Sequence, residues 1–77
     1  MKPLQKLNNG YTVMLSKKSE NHFIVLAVSP DNNQLAVLFL HKDGDCLCIS
    51  YFTINGNFDM IGNPRLNDAI KEFNERQ

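Results

Sequence analysis

The chain has no tryptophan, only two cysteines, and no excess charge of either sign, since eight Lys and Arg residues face eight Asp and Glu. Each scarcity excludes something. Without net charge there is no long-range field to gather nucleic acid or an anionic membrane. No apolar run approaches the roughly 18 residues that a spanning helix needs. Met1 to Asn9 contains no apolar core of signal-peptide length, so a cytoplasmic protein with no membrane partner is expected. Cys46 and Cys48 stand two apart on a predicted strand, a spacing poorly suited to bridging each other. Free thiols fit a reducing compartment.

What is present is ordinary globular composition, 43% hydrophobic and 21% charged over 77 residues, which allows one domain spanning residues 1–77. A chain this short buries only about 60% of its unfolded surface, so a partner subunit is a common supplement.

Tyr11 to Ser16 mixes β-branched, aromatic and apolar residues after Asn8-Asn9-Gly10 and predicts a first strand. Residues Lys17 to Asn21 form a polar turn. His22 to Ser29 and Gln34 to His41 are apolar almost throughout, with Pro30-Asp31-Asn32-Asn33 supplying turn chemistry between them. Asp43-Gly44 and Asn55-Gly56 favour two-residue hairpins, because both central positions need positive φ. They separate Leu38 to Leu40, Cys46 to Ile54, and Phe58 to Ile61. Asn63 and Pro64 are suited to the N-cap and first position of a helix. Leu66, Ala69, Ile70 and Phe73 then give it one apolar stripe. The predicted fold is α+β: residues 1–10 an N-terminal segment, 11–62 a five-stranded antiparallel β-meander, and 63–77 a C-terminal helix packed on one face.

The stretch Ala27-Val28-Ser29-Pro30-Asp31-Asn32-Asn33-Gln34-Leu35-Ala36 resembles the hairpin of a β-propeller blade. The resemblance implies a hairpin and no function, because a propeller closes only with about 4–8 blades.

A turn at Asp43-Gly44 pairs His41 with Cys46, Leu40 with Leu47 and Phe39 with Cys48. One face then collects His22, Ile24, Leu26, Val28, Leu35, Val37, Phe39, His41, Cys46, Cys48, Ser50, Phe52 and Ile54. The other collects Phe23, Val25, Ala27, Ala36, Leu38, Leu40, Leu47, Ile49, Tyr51, Phe58 and Met60. The small Ala27 and Ala36 suit close approach of the helix, which is therefore expected on the second face. That leaves Leu26, Val28, Leu35, Val37 and Phe39 on the first, each worth about 1.5–3 kcal/mol if fully buried. An exposed patch of that kind is rare in monomers. A curled sheet, the N-terminal segment with Leu4 and Leu7, or a second protein surface would cover it, and a two-fold homodimer or a partner protein is the expectation. On this view Val37→Asp disrupts association or folding.

His22, His41, Cys46 and Cys48 gather on this register into the one candidate metal set, with ligand types that zinc accepts. A flat strand splays Cys-x-Cys ligands, however, and no Cys-x-x-Cys knuckle is present, so neither metal nor cofactor is expected. A mid-strand cysteine also lacks the depressed pKa and orienting group of a nucleophile. The Asp43/Asp45 pair lacks the ligand series and closing Glu of a calcium loop. The function expected is a non-enzymatic protein-interaction module: a small adaptor, inhibitor or immunity-type protein of bacterial or phage origin. The alternatives are a nucleic-acid-associated regulator, which needs a basic groove beside Tyr11, Tyr51, Phe52 and Phe58, and a Cys/His zinc-stabilised domain.

Overall fold

The computed structural model describes residues 2–41, 43, 45–54 and 64–76. In order come β1 (Thr12–Lys18), β2 (His22–Val28), β3 (Gln34–His41), β4 (Cys46–Thr53) and α1 (Pro64–Glu75). The strands form an antiparallel sheet in the order β1-β2-β3-β4, with the helix packed on it. The α+β class predicted from the pattern is the class observed. The predicted fifth strand, the Asn55-Gly56 turn and the Asn63 cap lie outside the described residues.

The central hairpin follows its turn chemistry. Ser29 and Gln34 close it through a backbone bond of 2.9 Å, and Asn32 takes φ 59, a left-handed conformation that asparagine tolerates. The Ser29 hydroxyl accepts from the Asn33 and Gln34 amides at 3.2 and 3.0 Å and donates to the Asp31 carboxylate at 2.6 Å. These bonds satisfy the otherwise orphaned donors of the turn. The register that results, Ala27↔Ala36, Leu26↔Val37 and Ile24↔Phe39, puts the two central strands in the predicted parity.

The β3–β4 connection departs from expectation twice. The His41 amide donates to the Asp45 carbonyl at 2.9 Å, which leaves three residues between the closing pair instead of two. Leu40 therefore pairs with Cys46, Phe39 with Leu47 and Leu38 with Cys48, one residue off the predicted pairing. A bulge between Val37 and Leu38 then absorbs the extra residue, so that Val37 meets Ser50 and Leu35 meets Phe52, as the two-residue turn would have had it. The longer turn and the bulge cancel, because β4 has to keep Phe52 and Ile54 toward the core.

Two hydrophobic layers result. Ile24, Leu26, Val28, Leu35, Val37 and Ile54 pack with Ala69 and Phe73 of α1, supported by Met14, Phe39, Phe52, Leu66 and Ile70. Leu7, Val13, Val25, Ala27, Ala36, Leu38 and Leu40 form the other layer, with Tyr11 and Phe23 at its margin. The helix thus lies on the first sheet face, not on the alanine face where the sequence placed it. The small residue that permits close approach is Ala69, on the helix itself and fully buried. The sheet supplies the large branched side chains into which Phe73 fits, and the burial of so much apolar surface outweighs the smoother seat that Ala27 and Ala36 offer.

The alanine face is covered in part by the N-terminal segment, residues 2–10, which turns back along β1. The Leu4 amide donates to the Val13 carbonyl at 2.7 Å, Val13 donates to Gln5 at 2.8 Å, and Leu7 donates to Tyr11 at 2.7 Å. Lys6 bridges Thr12. Gly10 closes the return at φ +89, a conformation that favours glycine, and a Cβ there would stand a tight 3.2 Å from the Pro30 ring. Tyr11 is fastened across the same face by its hydroxyl, 3.3 Å from Gln34 Oε1.

Candidate functional site

The residues expected at an interface, Leu26, Val28, Leu35 and Val37, are buried within the single chain under α1. Phe39 is half-buried and packs at their margin. The driving force that called for a second chain is met internally, by the helix on one face and the N-terminal segment on the other.

The candidate metal set is divided by the same register. His22 pairs with His41, while Cys46 pairs with Leu40 and Cys48 with Leu38, one row away from the predicted pairing. Ile24, two residues along β2 from His22, and Phe39, two residues along β3 from His41, belong to the layer that the helix covers, whereas Leu38 and Leu40 belong to the other. The Cys46 sulfur accordingly receives a weak contact of 3.8 Å from the Asn9 amide of the N-terminal segment. Among the described residues no three His, Cys, Asp or Glu side chains are grouped to hold a metal ion. His22 instead stands edge-on to Phe39, with ring centroids 4.6 Å apart, an arrangement favoured by the quadrupoles of the two rings.

The outer strands of the sheet, among the described residues, carry what the sequence pattern did not isolate. On β4, Leu47 and Tyr51 are each 58% exposed. Leu47 pairs with Phe39 of the helix-side layer and Tyr51 with Ala36 of the other, so one strand presents a large apolar side chain at each face. Leu15 on β1 is 45% exposed, next to a bulge that turns Met14 toward the core. The signal for Leu47 lay in the turn length. Counted with a two-residue turn it falls on the alanine face, and with three it moves to the rim beside the helix.

A shallow groove of about 230 Å³ opens where the β1–β2 hairpin meets the end of α1, lined by Lys17, Lys18, Ser19, Ile24 and Arg76. Two of its three cations are engaged: Lys17 Nζ lies 5.0 Å over the Phe73 ring and donates to the Asn74 carbonyl at 3.3 Å, and Arg76 Nε is held by Glu72. A lysine at a helix C-terminus offsets the negative end of the dipole, so this arrangement fastens the helix. Among the described residues no helix is long and apolar enough to cross a membrane.

No family model, curated protein or solved structure matches this chain.

Proposed function

We propose that the protein is a non-enzymatic protein-interaction module, an adaptor or inhibitor by size, that docks on a partner protein or a second copy through β4. The observation that carries this reading is the pair Leu47 and Tyr51, both 58% exposed on β4, the outermost strand of the sheet among the described residues. Isolated exposed apolar residues are normal on any surface. Two on one strand, one at each face, form a clamp that a partner seated on β4 would bury together. Tyrosine is among the residues enriched at interfaces. The helix-covered residues Leu26, Val28, Leu35 and Val37 are assigned to the core. The thiol of Cys46 stands exposed at the start of the strand, which suits the reducing, cytoplasmic setting that completes the proposal.

The test is the absolute mass of the wild-type protein by light scattering over a dilution series, combined with affinity capture, each repeated with the Leu47→Glu/Tyr51→Glu variant. Loss of two anchors is expected to weaken association by about 30-fold or more, at roughly 2 kcal/mol. The circular dichroism spectrum should stay unchanged. Association or capture that survives in a folded double variant refutes the assignment of β4. A monomer at every dilution removes the second copy and leaves a different protein as partner.

A further inference from the structure

We propose that residues 2–10 act as a releasable strap: they leave the alanine face of the sheet together, turning at Gly10, while the strands and α1 stay folded. This closes and opens an apolar surface independently of the docking proposed for β4.

The two covers of the sheet are anchored very differently. The helix buries Ala69 and Phe73 and packs Leu66 and Ile70 beside them. The N-terminal segment contributes a single buried side chain, Leu7, while Lys2, Pro3, Leu4, Gln5, Lys6, Asn8 and Asn9 are exposed. It is also tied by backbone bonds to β1 and to itself, a bond from the Lys2 amide to the Gln5 side chain, an Asx turn from Asn9 to the Tyr11 amide, and the long contact to the Cys46 sulfur. Segments held by few buried apolar contacts open at lower free energy than the core they cover.

Strain works in the same direction. Leu4 takes φ 65 with its side chain 81% exposed, a left-handed conformation that leucine disfavours and that no packing of its side chain offsets. The pivot is equally defined. Gly10 adopts φ +89, and immediately after it Tyr11 is tied to Gln34 through its hydroxyl. Motion therefore stops at residue 11. Leu7 packs in one cluster with Val25, Ala27, Ala36, Leu38 and Leu40, an apolar strip that release of the segment would expose in part.

Native-state amide hydrogen exchange of the full chain tests this. The amides of Leu4, Leu7 and Val13 bond between the segment and β1 or within the turn that joins them, so they report its release. They are expected to exchange through one common opening with a shallow denaturant slope, about 100-fold or more faster than the slowest β2–β3 amides. Leu7→Ser should speed that opening about tenfold and leave β2–β3 unchanged, while Leu4→Gly, which tolerates φ 65, should slow it a few-fold. Two wild-type outcomes overturn the proposal. Leu7 and Val13 with the rate and slope of β2–β3 would mean that the segment leaves only on global unfolding. Leu4 fast with Leu7 and Val13 slow would be simple fraying. A Leu7→Ser protein that unfolds altogether overturns it as well.

Discussion

Replacing Phe73 by leucine removes ring atoms from the layer that α1 shares with Ile24, Leu26 and Val28, while Val25, next in sequence to Ile24, belongs to the layer on the opposite face. A double-mutant cycle between Phe73→Leu and Ile24→Val therefore joins residues of one layer. The cycle between Phe73→Leu and Val25→Ala joins residues separated by the sheet. Ile24→Val alone should cost about 0.5–1.5 kcal/mol, and Phe73→Leu about 1–2 kcal/mol by the same loss of buried volume. A chain of 77 residues has a stability of roughly 4–12 kcal/mol, so the doubles remain measurable. Urea unfolding followed by circular dichroism, with the m-value held common, reads each free energy. The expected coupling is about 0.5–1 kcal/mol for the Ile24 cycle and within about 0.3–0.5 kcal/mol of zero for the Val25 cycle. Coupling at Val25 with none at Ile24 would put the helix on the alanine face and refute the packing argument.

Three further perturbations address the turn and the helix end. Ser29→Ala leaves the Gln34 amide without its acceptor beside a buried site and removes one of the two acceptors of the Asn33 amide, which keeps the Asp31 carboxylate, and should cost about 1–3 kcal/mol in urea unfolding; a loss below about 0.5 kcal/mol would mean water replaces the hydroxyl fully. The Asp31 carboxyl is held below its ordinary 3.8, first by the Ser29 hydroxyl and then by the Asn33 amide. Its contribution to stability is accordingly present above that value and lost as the pH falls through the lowered one. The gap in melting temperature between wild type and Asp31→Ala should close below pH 3.8, and a gap that persists into strong acid would contradict this. Lys17→Met keeps the aliphatic stem but loses the ammonium over Phe73 and its bond to the Asn74 carbonyl. The expected cost is about 0.5–1 kcal/mol, with faster exchange in the last turn of α1; an unchanged melting curve and exchange pattern would show the contact to be idle.

The strands around the central hairpin were legible because a Ser-Pro-Asp turn and two unbroken apolar runs leave little freedom in pairing. The helix was legible from Pro64 and the stripe Leu66, Ala69, Ile70 and Phe73. Its choice of face was not. Periodicity reports which residues share a side and says nothing of which side a distant element will prefer, and Ala27 and Ala36 offer closeness where total buried area decides. The candidate site went astray at one residue. Asp43-Gly44 admits loops of two or three residues, and the longer one moves Leu47, Cys46 and Cys48 by one position, breaking up the row of His22, His41, Cys46 and Cys48. The N-terminal segment gave weak local signals because its structure rests on one leucine and on main-chain bonds, which side-chain patterns do not encode.

The two covers also differ in when they become available during synthesis. The segment that bears Leu7 precedes every strand, so the alanine face can close once β3 has paired. The opposite face must wait for Phe73, which follows the end of β3 by some thirty residues of chain, on the order of seconds at ribosomal speed. In that interval Leu26, Val28, Leu35 and Val37 stand open to neighbouring nascent chains. The nascent protein is therefore most dependent on chaperones between the completion of its sheet and the arrival of its helix, and a slow stretch of translation between β4 and α1 would lengthen that dependence.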